Sequence, residues 1–171
     1  MIDFLDITYL QTGNLKQQRA HQTITKHRIL EKLAAYNPVL VGTIPIGIDT
    51  DQSDLDIICQ IEDKETFRNT MLENFELEKD FSISENATFN SIKSNFILDE
   101  FEFEVFAQPV PYHLQNGFRH MLIEHRILME KGETFRAQII ELKNNGYKTE
   151  PAFAKLLGLS GDPYQALLNL E

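Results

Sequence analysis

The segment Asp54-Leu55-Asp56-Ile57-Ile58-Cys59-Gln60-Ile61 constrains the fold more than any other part of the chain. It opens in polar–apolar alternation and then turns almost continuously apolar, the pattern of a strand covered on both faces. The chain on either side is read against that strand. Residues 12–36 read as one helix with Asn14 as N-cap and Ile24, Ile29, Leu30, Leu33 and Tyr36 at partial helical spacing; Pro38 ends it. Residues 38–41 form a short apolar strand closed by Gly42, and 43–53 a loop broken by Pro45, Gly47, Asp49 and Asp51. Asp63 caps a helix through about Phe75. Strands follow at about 78–84, 87–97 and 100–107, with Asp99-Glu100 turning between the last two.

Beyond Pro109 and Pro111 the chain is helical from about Tyr112 to the end. Gly132, Gly146 and Gly161 punctuate this part, and Thr149 before Pro151 and Asp162 before Pro163 open helices. The order predicts an α+β fold: a mixed sheet with flanking helices over residues 1–111, and a helical region, 112–171, packed on it as one unit.

Composition removes whole classes of function. The 171 residues carry 26 Asp plus Glu against 16 Lys plus Arg, a net charge of −10. That balance argues against binding a long phosphate backbone, which needs clustered cations. The single Cys59 excludes a disulfide framework and a Cys-rich zinc site, and its apolar surroundings make it a core residue. No apolar run approaches the ~20 residues of a membrane span. Acids occupy positions 3 and 6, where a signal peptide would carry positive charge. The expectation is a soluble, cytoplasmic protein.

The chemistry lies in carboxylates. In a strand, residues two apart share a face, so Asp54 and Asp56 project side by side while Leu55 and Ile57 face the core. Two adjacent carboxylates repel unless a cation sits between them, and a hard divalent ion such as Mg²⁺ meets that need. Glu102 and Glu104 repeat the arrangement on the strand over 101–106. If the two strands are neighbours, a third carboxylate completes a pocket for two ions that serve phosphoryl chemistry. The plainer alternative for each pair is a strand face wetted by solvent.

The string Gly42-Thr43, ten residues, then Asp54-Leu55-Asp56, with a glutamate on a later strand, resembles the signature of the nucleotidyltransferase superfamily, the polymerase-beta-like fold. The likeness covers about residues 22–107. A narrower one, to a small bacterial family known as a domain of unknown function, takes in Asn37-Pro38-Val39-Leu40, Ser53-Asp54-Leu55-Asp56 and Gln108-Pro109-Val110-Pro111. It extends to Thr149-Glu150-Pro151-Ala152-Phe153-Ala154-Lys155 and Gly161-Asp162-Pro163-Tyr164. The superfamily resemblance implies that Asp54, Asp56 and Glu104 bind Mg²⁺ or Mn²⁺, with Glu104 also the base and Glu102 its alternative. It implies that Gly42 and Thr43 seat the phosphates of a nucleoside triphosphate, with Ser53 beside them, and that a nucleotidyl group passes to a hydroxyl acceptor.

Members of that superfamily often place a cation soon after the Gly-Ser pair. Here residues 44–51 hold none and add Asp49 and Asp51. The helix after Tyr112 offers a substitute: Leu114, Phe118, Met121, Leu122, His125, Leu128 and Met129 form one stripe, with Arg119 and Arg126 on its flank. Arg119 is the candidate phosphate ligand, against pairing with a surface acid; His125 is read as a core histidine. The missing cation also motivates a second expectation, a catalytically inactive, antitoxin-like module that binds nucleotide or a protein partner.

Overall fold

The computed structural model describes residues 2–171. Five strands form one mixed sheet in the order β1-β2-β5-β4-β3: β1 Val39–Val41, β2 Leu55–Gln60, β3 Lys79–Asn86, β4 Ser91–Leu98 and β5 Phe101–Gln108. Only the β2–β5 pair is parallel; the other neighbours run antiparallel. The doubly covered strand β2 therefore lies inside the sheet, between β1 and β5.

Strand alternation divides the sheet into two faces. Leu55, Ile57, Cys59, Phe103, Val105, Ala107, Ile92 and Phe96 are buried on one, where they pack with residues of the first three helices. Within that layer Phe96 stacks between Phe75 and Phe103, with centroids 4.6 and 5.2 Å away. The other face carries Val39, Val41 and Ile58 against the C-terminal helices, and also the carboxylates. Cys59 is fully buried in the first layer, and burial pushes its thiol pKa well up.

The N-terminal helical segment is broken where one helix is expected. A 3-10 turn over Ile7–Thr12 precedes α1, Leu15–Lys26; α2, Ile29–Lys32, follows, then a second 3-10 turn at Ala34–Tyr36. Asn14 caps α1 through a capping box with Gln17. The break falls at Arg28, whose backbone is left-handed at φ 54°, a conformation that ends an α-helix. Helix α3, Lys64–Phe75, is capped by Asp63, whose side chain accepts from the Thr66 amide.

Helix α4, Asn116–Lys131, corrects the apolar stripe. Leu122 and Met129 are exposed, whereas Ile123, Glu124 and Ile127 are buried with Phe118, Met121 and Leu128. The helix is wedged between β1 on one side and α5, Glu133–Asn144, and α7, Pro163–Leu168, on others, so more than one face is covered. A Cβ at Gly117 would stand in ordinary contact with the sheet, 3.6 Å from Val41 Cγ2 and 3.7 Å from Ile58 Cγ2. His125 is partly buried edge-on against Phe4, and burial lowers its pKa. Helix α6, Thr149–Leu157, completes the layer. No helix among the described residues is long and apolar enough to cross a membrane.

Candidate active site

The loop between β1 and β2 is held from below by apolar anchors and from the sides by borrowed cations. Ile44, Ile46 and Ile48 are buried, the first in one apolar layer and the other two in the opposite one. Its carbonyls accept from distant side chains. Gln17 donates to Ile44 O at 2.8 Å, Arg136 to Ile46 O and Gly47 O, Lys143 Nζ to Ile48 O at 2.8 Å, and Lys16 Nζ to Thr50 O at 2.5 Å. At the loop's ends Thr43 donates its hydroxyl to Ser53 Oγ at 3.1 Å, and the Thr50 amide donates to the same oxygen at 2.9 Å. Gly42, Thr43 and Ser53 are thereby brought to one place.

Gly42 adopts φ 85°, where only glycine is unstrained. A Cβ there would press into the Asp56 carboxylate, 3.3 Å from its Cγ and nearer still to Oδ2. Backbone and carboxylate touch because the turn needs no side chain.

On the parallel β2–β5 pair, Asp56 and Glu104 are direct partners. Asp54 stands just before β2. The Asp56 pKa is pushed up to about 7, first by burial and then by the charges of Asp54 and Glu104; Lys143 pulls the other way, and Glu150 adds to the rise. Burial and crowding of this kind mark a candidate functional site. Glu104 is also tied to Lys93 Nζ at 2.9 Å, from the neighbouring strand β4. Glu102 is exposed and lines neither of the cavities described next.

Two cavities meet at Asp56, sharing Thr43, Asp56, Thr149 and Glu150 as walls. One, of about 540 Å³, also has Ser53, Asp54, Lys143, Tyr147 and Lys148. The other, of about 520 Å³, lies under α4 and includes Glu104, Phe106, Gln115, His120, Met121 and Glu124. Lys143 is the charge that the loop lacks in sequence. It is partly buried, and its pKa is lowered to about 8 by that burial, against the pull of Glu124, Asp49, Asp54 and Glu150. The sequence held no periodic or motif signal for it, since its role depends on α5 folding back over the loop. Arg119 stands elsewhere: its guanidinium pairs with Glu171, Nε to Oε1 at 3.1 Å, and it lines neither cavity. Arg126 donates to Leu170 O.

As a metal site, the donor set is right in kind: hard carboxylate oxygens, one of them raised in pKa by burial and by its neighbours' charges. Among the described residues, however, no three His, Cys, Asp or Glu side chains are placed to hold one ion together. Glu104 Oε2 is bonded instead to Lys93.

The family model described as "Domain of unknown function (DUF4269)" matches residues 22–170. The chain belongs to this family. Comparison with curated proteins finds no match for the DUF4269 chain. Its fold is shared with solved nucleotidyltransferases. The Cid1 poly(U) polymerase with Mg 3′-dATP bound aligns at TM-score 0.59 and 14% identity, covering 91% of the DUF4269 chain and 48% of the polymerase. The GLD-2/RNP-8 complex aligns at 0.53 and 15%, with 94% and 61% covered, and the polymerase core of TRAMP at 0.56 and 12%, with 94% and 50% covered. The DUF4269 chain thus spans about half the length of these structures. At such identities the likeness is one of fold: a nucleotidyltransferase-like mixed sheet with flanking helices.

Proposed function

We propose that this DUF4269 chain transfers a nucleotidyl group from a nucleoside triphosphate to a hydroxyl acceptor. The observation that carries the reading is the junction at Asp56. There Asp56 and Glu104 share one rung of the sheet, Asp54 stands beside them, and the Gly42 turn closes over the carboxylate. On this reading Asp54, Asp56 and Glu104 would hold Mg²⁺ or Mn²⁺, which supplies charge neutralisation at the phosphoryl group and orientation of the attacking oxygen. The triphosphate lies toward Lys143 and Lys148, with Thr43 turning its one hydroxyl proton from Ser53 Oγ to a phosphate oxygen and Ser53 donating to Thr43 Oγ1 in exchange. The acceptor oxygen bonds to the α-phosphorus as the bond to pyrophosphate breaks. Its proton passes to Glu104, and pyrophosphate leaves on the lysine side. The cytoplasm, rich in nucleoside triphosphates, is the compartment that suits this chemistry. Residues 1–111 supply the carboxylates and 112–171 the lysines.

Titration calorimetry with Mg²⁺ and each nucleoside triphosphate, on wild type and Asp56→Ala, tests the reading. Metal-dependent nucleotide binding in wild type and its loss in the variant is the expected result. Absence of metal-dependent binding in wild type removes the catalytic reading. The second reading, an inactive module that binds nucleotide or a protein partner, is favoured by one observation: Lys93 holds Glu104 away from a closed ligand set. A protein that binds nucleotide yet releases no pyrophosphate with any acceptor pool would be that module.

A further inference from the structure

We infer that Glu150, positioned by His120, receives the ribose hydroxyls of the nucleotide, so that the site takes ribonucleoside triphosphates in preference to their 2′-deoxy forms. The inference rests on the nucleotidyl-transfer reading for the ligand, and on the placing of Glu150 for the contact.

Glu150 is the second residue of α6, and Pro151 follows it in the first turn. An acid there suits the positive end of a helix, and proline at the start fixes the backbone. The Glu150 side chain is 21% exposed and lines both cavities. Its charge acts on Asp56 and on Lys143 alike, so it stands near both. Where the cavities meet, Thr43 and Asp56 come from the sheet side, and Thr149 and Glu150 face them from the start of α6.

That placing selects the part of a nucleotide that Glu150 meets. In phosphoryl transfer the attacking and leaving oxygens lie roughly in line through the phosphorus. With the α-phosphate over Asp56 and pyrophosphate toward Lys143 and Lys148, the acceptor enters from the opposite cavity. The nucleoside is the substituent that points across this line, away from the sheet. Its first group after the phosphate is the sugar, and the wall in front of it is Thr149 and Glu150.

His120 decides what the carboxylate can hold. Its side chain is 8% exposed, and its Nε2 lies 3.0 Å from Tyr164 O, a carbonyl that only accepts, so Nε2 carries hydrogen. Nδ1 then faces Glu150 Oε1 at 3.5 Å. Two lone pairs would repel across that gap, so the pair holds a proton, imidazolium against carboxylate. As a whole the pair is neutral and calls for no further cation; among the described residues no three acidic or histidine side chains gather to hold one. A phosphate would still be repelled by the carboxylate itself. What fits is a neutral donor, and a ribose diol brings two hydroxyls to the two oxygens of one carboxylate. A 2′-deoxyribose has lost one of them.

Calorimetric titration of the full chain with Mg²⁺ and each ribonucleoside triphosphate, beside its 2′-deoxy form, tests this. The ribonucleotide should bind about tenfold more tightly than the 2′-deoxy form, or better, the scale of one hydrogen bond to a charged group. Glu150→Ala should remove that preference, whichever way overall affinity moves. Should Glu150→Ala fail to fold, as judged by its melting curve, Glu150→Gln should narrow the preference in the same direction. His120→Gln, whose amide can still donate to the carboxylate, should keep more of the preference than His120→Leu; equal preference in these two overturns the part given to His120. Equal binding of the two nucleotide forms by wild type, or a preference unchanged in the Glu150 variants, overturns the inference and leaves the transfer reading standing. Absence of metal-dependent binding of either form overturns both.

Discussion

Replacing Asp56 by asparagine removes a negative charge from a place that resists it, and the stability of the protein should register the change with pH. The carboxyl moves from 3.8 to about 7 on folding, because burial and the charges of Asp54 and Glu104 favour its protonated form. The folded state therefore binds this proton more tightly than the unfolded chain, and stability falls as pH rises from about 4 to about 7, then levels. At ~1.4 kcal/mol per tenfold change in proton affinity, the full separation is about 4 kcal/mol. Asparagine keeps the shape and does not titrate. The gap between Asp56→Asn and wild type should thus widen by about 3 kcal/mol between pH 4.5 and pH 8, in favour of the variant. For a chain of this length, that is a rise in relative melting temperature of roughly 10 °C. Urea and thermal melts in EDTA at both pH values measure it. A gap of the same size at pH 4.5 and pH 8 would refute the claim that the carboxylates at this junction are electrostatically crowded.

Gly42→Ala combines a left-handed backbone with a contact on the Asp56 carboxylate; it should cost about 1–3 kcal/mol in melts and at least a hundredfold in transfer, since displaced reacting groups are costly. Lys93→Met frees Glu104, and Mn²⁺ affinity by calorimetry should rise severalfold, the scale set by a partly exposed ion pair; a fall would mean that Lys93 supports the site. The Lys143 ammonium loses its proton from about pH 8 upward, so nucleotide affinity should weaken between pH 8 and 9.5, and Lys143→Arg should abolish that weakening. Phe96→Ala opens the stack between Phe75 and Phe103 and should cost about 3–5 kcal/mol in denaturant melts.

The fold was legible wherever short-range rules decide it. Asn14, Asp63 and Asp162 cap helices as their positions suggest, and Phe101, Phe103 and Val105 turn to the core while Glu102 and Glu104 turn away. The first strong departure is the helix over 12–36, where propensity carries no warning of the left-handed residue at Arg28. The second is α4, whose burial depends on how many neighbours it acquires rather than on its own periodicity. At the site, the pairing of Asp56 with Glu104 is a register, which strand parity narrows to two glutamates but does not choose between. Lys143, Glu124 and Glu150 lay beyond any spacing rule, because three separate C-terminal helices carry them to the carboxylates.

Where the cations stand bears on the acceptor more than the fold does. The solved structures named above include a poly(U) polymerase, but fold is silent on acceptor class. A strand of phosphodiesters needs a run of Lys and Arg along its path. In this chain Arg136 and Lys16 are committed to loop carbonyls, Arg119 to Glu171, Arg126 to Leu170 and Lys93 to Glu104. Beside Asp56 stand Lys148 and Lys143, the latter also donating to Ile48 O, on one side only. Two lysines and divalent ions can answer one triphosphate; nothing comparable lines the far side, where Glu104, Glu124 and Glu150 meet whatever arrives. On the proposed reading, a nucleic-acid acceptor entering through that cleft would meet acids and no lysine or arginine in its described lining.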